Sequence, residues 1–497
     1  MEILRAKCIF FCSFVNFNRV SEIVFTFFLV PIFLNADYRA PPIISNTTYV
    51  HAWNSPSDHC LTKFKISLDL SFYSLRGNPQ EDAISQNVTL FYINKLGLYP
   101  HINLENKNEI LGGIPQLGNL TAHLEKAKKD ILKYMPKDQL GLAVIDWEEW
   151  RPLWIRNWGC KKIYRTKSIE FFKNNNPNVS TAKVTCQAQK EFENAGKKFM
   201  LQTLELGLSL RPKNYWGFYL FPDCYNHDYL KGDVYTGNCP EREKERNNLL
   251  DWLWNKSTAL YPSIYLNTHL KSTIKAALFS RNRIMEAIRL SKVRNPENPL
   301  PVFVYMRPVF TDQTTEFLSE HDLVNTIGES YALGASGIVI WTSFNLVNSE
   351  VSCGNLRSYL MKTLSPYLIN VTLAAKLCNQ ALCKDQGICT RKDWNSSDYL
   401  HLNPNNFNIK FSYCNKFIVF GEPSVQDLKK FSEKFDCSCF TNKTCKKNEK
   451  VETTRQVRIC ITENVCISAF VKTGSSVIPY EETSETLIPS STSAMNT

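Results

Sequence analysis

The chain has 497 residues, a net charge of +11, 43% hydrophobic residues and 17 cysteines. At about 100–200 residues per domain, this length predicts two to four domains, and the ordinary hydrophobic content excludes a wholly disordered chain. No apolar run reaches the roughly 18 residues of a spanning helix, which excludes a polytopic membrane protein. The cysteines lack the paired spacing of zinc sites, so they predict disulfides formed in an oxidising compartment.

The N-terminus has the features of a signal peptide, which we assign to residues 1–36. Arg5 and Lys7 precede an apolar stretch at 24–34, and Ala36 is a small residue suited to cleavage. An uncleaved membrane anchor is the minor alternative. N-glycosylation sequons follow, which fits passage through the secretory pathway; they begin at Asn46, Asn87, Asn119, Asn178, Asn255, Asn370, Asn395 and Asn442.

Short apolar runs rich in β-branched and aromatic residues predict buried strands, as in a parallel sheet covered on both faces. They lie at 88–93, 140–145, 216–221, 262–266, 302–306 and 337–341, and an earlier strand is expected near 66–70. Helical spacing of apolar residues predicts helices at 120–134, 180–206 and 276–291. This alternation predicts an α/β fold with a TIM-like (β/α) barrel at 37–370. A doubly wound open sheet is the alternative, but no glycine-rich phosphate turn favours it.

The pattern changes after residue 370. Six cysteines with the spacing C-x4-C-x5-C and C-x-C-x5-C occupy a segment with few apolar runs, which predicts a small disulfide-rich, EGF-like module at 371–470. Cys460 and Cys466 are expected to close one further loop. The Ser/Thr-rich end at 471–497 is predicted to be a disordered tail. No hydrophobic stretch follows it, so we expect no lipid anchor and peripheral or no membrane attachment.

Two carboxylates stand at the end of a predicted strand. Asp146 and Glu148 follow the run at 140–145 and alternate along the chain, so both should project to the side where barrel enzymes build active sites. Carboxylates so close together cannot both ionise freely, which suits a general acid for glycoside cleavage. Tryptophans 147, 150, 154 and 158 would offer flat faces to sugar rings. The alternative is a structural role, with the carboxylates capping a helix or paired with Arg151 and Arg156.

Aromatic residues recur at other predicted strand ends, including Tyr219, Tyr265 and Trp341. Each one alone is better explained by core packing, but their recurrence favours a shared pocket. Arg281 and Arg283 are expected to open a helix, where an arginine either pairs with a substrate carboxylate or is solvated. The histidines show no ligand spacing, so we expect no metal and no cofactor.

The segments DWEEWRP, RNW, WGFYLFPDCYN, ALYPSIYLN, RNR and LGASGIVIW together resemble the hyaluronidase family of glycoside hydrolases, family 56. The match extends over roughly residues 37–470 and is closest to the sperm-type branch. The resemblance implies a distorted (β/α) barrel that cleaves the β-1,4 bond after N-acetylglucosamine in hyaluronan. Configuration is then retained through attack by the substrate's own acetamido oxygen.

The resemblance also implies individual roles. Glu148 matches the proton donor, and Asp146 the carboxylate that positions the acetamido group. Tyr219 and Tyr265 match tyrosines that hold the reacting sugar. The remaining matches are Arg283 as a contact to a glucuronate carboxylate, Trp341 as a floor residue, Asp223 as a supporting acid and Tyr92 at the cleft rim.

The family further implies disulfide pairs. These are Cys60–Cys353, Cys224–Cys239, Cys378–Cys389, Cys383–Cys437 and Cys439–Cys445, with Cys460–Cys466 beyond them. Cys160, Cys186 and Cys414 are additional. We hypothesise a Cys160–Cys186 bridge, which leaves Cys414 unpaired.

The leading functional prediction is a secreted or acrosomal, sperm-surface hyaluronidase that helps sperm through the hyaluronan-rich coat of the egg. One alternative is a hyaluronan-binding or zona-binding adhesion protein with little turnover. Another is an enzyme directed at chondroitin. The expected partner is hyaluronan, and the alternatives add chondroitin and egg-coat components. We expect no nucleic acid, since the positive charge is dispersed.

Overall fold

The computed structural model describes residues 37–473, except residues 81, 232–233, 413–415, 442 and 444 and the side chains of residues 181 and 182. The predicted signal peptide, the predicted tail from residue 474 onward, Cys414 and Asn442 lie outside the described residues. Within the described part of the chain, no helix is long and apolar enough to cross a membrane.

The described residues combine strands and helices, as expected for an α/β protein. The strands are β1 (Tyr38–Arg39), β2 (Val50–Asn54), β3 (Leu75–Gly77), β4 (Val88–Phe91), β5 (His101–Ile102), β6 (Glu109–Ile110), β7 (Gly141–Ile145), β8 (Asn214–Phe218), β9 (Phe303–Met306), β10 (Gly337–Trp341), β11 (Gly387–Arg391), β12 (Phe407–Phe411), β13 (Phe417–Gly421), β14 (Phe435–Phe440), β15 (Gln456–Thr462) and β16 (Val465–Phe470).

The α-helices follow most of the central strands. They are α1 (Asp58–Phe64), α2 (Leu120–Tyr134), α3 (Lys162–Asn175), α4 (Thr181–Leu210), α5 (Glu241–Asn248), α6 (Asp251–Lys256), α7 (Ile274–Ser291), α8 (Glu320–Leu323), α9 (Glu329–Leu333), α10 (Glu350–Tyr359), α11 (Ser365–Cys383) and α12 (Val425–Lys434). Single π-helical turns at Val324–Gly328 and Leu360–Leu364 connect α8 to α9 and α10 to α11.

Two parallel sheets form the centre, with strand orders β4-β7-β8 and β3-β2-β10-β9. Parallel bridges Tyr219–Tyr261, Leu260–Val302 and Ser263–Tyr305 place the segment 260–263 between β8 and β9. On the other side, the Asn87 amide donates a hydrogen bond to the Arg76 carbonyl at 3.0 Å, next to β4 and β3. The two sheets are therefore in contact at both of their edges.

The strands are buried on both faces because their side chains alternate between two layers of core. Leu142 and Val144 of β7 pack with Val50, Val88 and Tyr261 in one cluster. Ala143 and Ile145 of the same strand belong to the larger cluster that contains the helices. This explains the continuous apolar runs in the sequence.

Some of the predicted helices and strands match the structure, whereas others do not lie at the predicted residues. Helix 120–134 and strand 337–341 match α2 and β10 residue for residue. The run 262–266 is not a strand and forms only isolated bridges, since Pro262 has no amide hydrogen to donate to a ladder.

The prediction of a strand near 66–70 was wrong, because these residues do not pair with a strand. Its alternate residues pack half-buried against the core. The strand in this region is β2, whose polar His51 conceals it in the sequence. His51 is buried, and its ring nitrogens lie 3.2 Å from the Phe72 carbonyl and 2.8 Å from the Tyr331 hydroxyl.

The C-terminal part contains three small sheets, β1-β14-β11, β12-β13 and β15-β16. Helix α11 runs from Ser365 to Cys383, so the boundary predicted at residue 370 lies inside a helix. Two disulfides join this helix to strands, Cys378–Cys389 to β11 and Cys383–Cys437 to β14, and Cys439–Cys445 joins β14 to the segment that follows it. In chain order, these six cysteines pair 1–3, 2–4 and 5–6.

The remaining bonded pairs are Cys60–Cys353, Cys224–Cys239 and Cys460–Cys466. The structure thus contains the six pairs that the family resemblance and the terminal spacing imply. The hypothesised Cys160–Cys186 bridge is not formed, because both thiols are free and exposed.

Candidate active site

A cavity of about 290 Å³ lies at the carboxyl ends of the central parallel strands. Because β4, β7, β8 and β10 run parallel, the residues that follow them meet at one end of the sheets. The cavity is lined by Leu90, Tyr92, Asp146, Glu148, Tyr219, Tyr265, Tyr305, Arg307 and Trp341. Six of the eight residues predicted for the site line this cavity; Arg283 and Asp223 do not.

Asp146 and Glu148 reach the cavity because the chain stays extended beyond the end of β7. The Asp146 amide donates a hydrogen bond to the Phe91 carbonyl at 2.9 Å, which continues the pairing of β7 with β4. Alternation then sends Asp146 and Glu148 to the cavity and the intervening Trp147 to the opposite side, into the larger core cluster.

The Asp146 carboxyl lies in an unfavourable environment for a charge. Its Oδ1 atom is buried and accepts no hydrogen bond within the described structure. Burial raises its pKa well above the ordinary value, and the nearby carboxylates of Glu148 and Glu149 raise it further, against a smaller opposing effect of Arg151. A buried acceptor without a donor is typical of a site that a ligand completes.

Glu148 is accessible to solvent, with 47% of its side chain exposed. Its Oε2 atom lies 3.2 Å from the Arg151 guanidinium, so the ion pair considered as a structural alternative is present. The Lys161 ammonium donates hydrogen bonds to the Glu148 and Glu149 carbonyls, the second at 3.1 Å. These contacts hold the loop that carries the carboxylate, while the carboxylate itself faces solvent.

Tyrosines form one wall of the cavity. The Tyr219 and Tyr265 rings lie 6.0 Å apart, and the Tyr219 hydroxyl donates to Ser263 Oγ at 3.3 Å. Tyr265 stacks on Trp341 at 6.3 Å, and Trp341 Nε1 donates to the Tyr92 hydroxyl at 3.2 Å. Burial raises the pKa of Tyr92, Tyr219 and Tyr265 above the ordinary value, so their hydroxyls stay neutral donors.

Arg283 and Asp223 are buried together beside the cavity. Arg283 donates to Asp223 at 2.9 Å and, through Nε, to the Ser263 carbonyl at 2.5 Å. Burial raises the pKa of Asp223, but the charges of Arg283 and Arg156 outweigh that effect and hold it below its ordinary value. The expectation that Arg281 and Arg283 open a helix was wrong, since both lie in the middle of α7.

Three of the four tryptophans that follow Asp146 do not offer a face to a sugar ring. Trp147, Trp150 and Trp154 are buried in the larger core cluster. The Trp147 ring stacks on Tyr99 at 4.6 Å, and Trp150 Nε1 donates to the Pro100 carbonyl at 2.9 Å. Spacing alone could not reveal this, because it does not show which tryptophans meet the α3 and α4 side of the fold.

Arg307 is a cavity residue that sequence reasoning missed. Its guanidinium lies 5.2 Å from the Trp341 ring and 5.9 Å from the Tyr265 ring. It directly follows β9, so the rule that strand ends build the site could have found it. Among the described residues, no group of three or more histidine, cysteine or acidic side chains is arranged to hold a metal ion.

The cavity therefore combines an accessible carboxyl, a second carboxyl that lacks a donor, and neutral tyrosine hydroxyls beside aromatic faces. This set can protonate a leaving oxygen and bind a polar, ring-shaped ligand.

Comparisons with known proteins agree with this chemistry. The family model described as Hyaluronidase matches residues 38–452. Hyaluronidase PH-20 of Macaca fascicularis is 54% identical over 492 residues, covering 98% of this chain and 96% of that protein. The Homo sapiens protein of the same name is 53% identical over 472 residues, covering 95% of this chain and 92% of that protein. The crystal structure of bee venom hyaluronidase in complex with a hyaluronic acid tetramer is 29% identical, with a TM-score of 0.57, covering 64% of this chain and 98% of that chain. The chain therefore belongs to the hyaluronidase family, glycoside hydrolase family 56, and is a glycosidase.

Proposed function

We propose that this enzyme hydrolyses the β-1,4 bond between N-acetylglucosamine and glucuronate inside hyaluronan chains, with retention of configuration. The observation that carries the proposal is the convergence of Asp146 and Glu148 on one cavity with tyrosine and tryptophan side chains. The bee venom relative was solved with a hyaluronic acid tetramer, which supports the same polymer as substrate here.

In the proposed reaction Glu148 is the general acid. Its carboxyl transfers a proton to the glycosidic oxygen, while the acetamido oxygen of the substrate attacks the anomeric carbon and the bond to the leaving glucuronate breaks. The Glu148 carboxylate then takes a proton from water, which attacks the cyclic intermediate from the side that the leaving group vacated. Two inversions give net retention, and no enzyme carboxylate acts as nucleophile.

Asp146 is proposed to position the acetamido group. Its buried Oδ1 atom has no donor in the free enzyme, and an acetamido N–H would supply one. That hydrogen bond would fix the acetamido oxygen near the anomeric carbon, which lowers the entropic part of the barrier.

The aromatic wall is proposed to hold the reacting sugar. Tyr219 and Tyr265 would donate hydrogen bonds from neutral hydroxyls, Trp341 would form the floor, and Tyr92 would lie at the rim. Arg283 is committed to Asp223 and to the Ser263 carbonyl, so we propose a positioning role for this ion pair rather than direct contact with a glucuronate carboxylate.

Glu148→Gln tests the proposal. We expect the rate of hyaluronan shortening to fall by about 10²–10⁴, because an amide cannot act as the acid, while the polymer still binds. Glu149→Gln is the matched control, since Glu149 does not line the cavity and its amide oxygen can still accept the Glu148 N–H. Equal activity of Glu148→Gln and wild type would show that the acid is assigned wrongly.

We also propose an architecture for the chain. The hydrogen bonds at both sheet edges support a distorted (β/α) barrel in the part of the chain that begins at residue 37. The 1–3, 2–4, 5–6 disulfide order supports an EGF-like module that extends to residue 470, and helix α11 spans the boundary that we had placed at residue 370. We also assign residues 1–36 to a signal peptide. The Ser/Thr-rich tail that we predicted from residue 471 begins later, because Val471 is buried and Lys472 forms a bridge with Ser424.

The proposed location is the secretory pathway and then the cell exterior or acrosome, since six disulfides require an oxidising compartment. The resemblance to the sperm-type branch is what supports a role in passage through the coat of the egg. Chondroitin is the alternative polymer, and rates on the two purified polymers would distinguish them.

A further inference from the structure

A second groove, which we call the basic groove, lies beside the catalytic cavity. Its volume is about 540 Å³. Arg151 lines it, and the guanidinium of Arg151 contacts Glu148 in the catalytic cavity. The other residues that matter here are Trp158, Lys161, Tyr225, Arg242 and Arg246. Asp223 lines this groove from the side of its ion pair with Arg283, but no part of the polymer has yet been assigned to the groove.

The open face of the basic groove is positively charged. Five cationic side chains line it, against only two acids, Asp223 and Glu243. Both acids are largely buried. Arg156 lies between them, 2.9 Å from Glu243 and 4.0 Å from Asp223, and Arg246 also pairs with Glu243. Arg242 is exposed at the rim and forms no salt bridge within the described residues. A negatively charged ligand would therefore be attracted to this face.

An exposed aromatic pair stands in the same groove. Trp158 is 52% exposed and Tyr225 is 38% exposed, and their rings meet edge to face at 5.2 Å. The tryptophans nearest to Asp146 are buried, so Trp158 is the member of that series that can offer a face to a ligand. An accessible indole beside cations suits a ring that carries both apolar C–H faces and a carboxylate.

The position of the basic groove relative to Glu148 indicates which sugars would enter it. The reacting sugar belongs with Asp146 and Tyr219 in the catalytic cavity. The acid lies at the bond that breaks, so the leaving sugars must continue past Glu148, where Arg151 and Lys161 begin the basic groove. In the proposed reaction the first leaving sugar is a glucuronate, which carries the negative charge that these cations attract.

We propose that the basic groove binds the leaving-group side of the polymer, with a sugar ring against Trp158 and a uronate carboxylate near Arg242. This inference rests on the proposed function, because it takes the polymer and the cleaved bond from it. The groove would set which bond of an oligosaccharide is cut.

The test uses hyaluronan oligosaccharides labelled at the reducing end and measures which bonds are cleaved. For Trp158→Ala and Arg242→Gln, cleavage at bonds with four sugars on the leaving side should fall about three- to tenfold relative to bonds with two. Trp394→Ala and Arg294→Gln are matched controls, since both residues are exposed and lie outside the groove, and they should keep the wild-type ratio. An unchanged ratio in the groove variants, or an equal change in the controls, would overturn the proposal.

The free thiol of Cys160 gives a second measurement, because it lines the basic groove and is exposed. A bulky thiol reagent on the wild-type enzyme should lower the same ratio, whereas the same treatment of Cys160→Ser should leave it as it was. An equal loss in both proteins would contradict the proposal. A wild-type enzyme that does not cleave hyaluronan would refute the proposed function itself, whereas cleavage with an unaltered bond preference in every variant would refute only the groove.

Discussion

Replacing Asp146 by asparagine should make the protein more stable at neutral pH and, at the same time, much less active. The Asp146 pKa is raised by burial and by two neighbouring carboxylates. Above the ordinary pKa of 3.8, the folded state therefore holds this proton more tightly than the unfolded state does. Stability then falls as the pH rises through the folded-state pKa, because the proton must leave a site that favours the neutral form.

The size of the effect follows from the surroundings of the carboxyl. Its Oδ1 atom is buried without a hydrogen-bond donor; such an acceptor costs about 1–3 kcal/mol, and more when it is charged. Asparagine keeps the unpaired oxygen but removes the charge, so the added cost of the charge, which we take as about 1–3 kcal/mol, should disappear at pH 7. For a chain of this length, about 1 kcal/mol corresponds to about 1 °C in melting temperature. We therefore expect a rise of about 1–3 °C at pH 7 that disappears near pH 4.

The assay is thermal unfolding of the secreted, disulfide-intact protein between pH 4 and pH 8, together with hyaluronan cleavage. Activity should fall by about 10²-fold or more, since a group that positions the reacting acetamido is lost. Asp138→Asn is the matched control: its side chain is 73% exposed, so the change in stability should stay within about 0.5 kcal/mol. A melting temperature that is unchanged or lower for Asp146→Asn at pH 7 would refute the reasoning from burial.

Two further substitutions test packing away from the reacting sugar. Glu329 is fully buried and bonded to Arg281 at 2.7 Å and to Arg391 at 2.9 Å. Glu329→Gln should therefore lower the free energy of unfolding by about 3–5 kcal/mol. Glu433→Gln is the control, because Glu433 is exposed and its replacement should leave the free energy of unfolding unchanged. Denaturant unfolding that shows no difference between the two variants would contradict this prediction. Trp147→Ala should cost about 3–5 kcal/mol because the ring is part of the core. The KM of this variant for hyaluronan should remain near the wild-type value. A large rise in KM with unchanged stability would instead indicate that Trp147 contacts the sugar.

Much of the fold was predictable wherever a local pattern was unambiguous. The amphipathic spacing of α2 and the apolar run of β10 led to the correct bounds, since both elements bury one continuous set of side chains. Strand β2 was missed because its polar residues are satisfied by distant partners, such as the Tyr331 hydroxyl for His51. No local pattern reports a partner that is hundreds of residues away.

The site shows the same division. Alternation after a strand was enough to bring Asp146 and Glu148 to one face. It was not enough to show that Glu148 would be accessible and paired with Arg151, or that Arg283 would be committed to Asp223. Those outcomes depend on which loops and helices pack beside the carboxyl ends of the strands.

The sequence by itself determined the family, the α/β pattern, the pair of carboxylates and the cysteine framework, because motif spacing and periodicity are properties of the chain. Only the tertiary structure decided which of the cysteines remain free, with Cys160 and Cys186 both exposed and unbridged. It also decided which tryptophans are core and which one, Trp158, faces a groove. The physical reason is that burial and pairing are set by the neighbours that packing brings together, and most of those neighbours are remote in sequence.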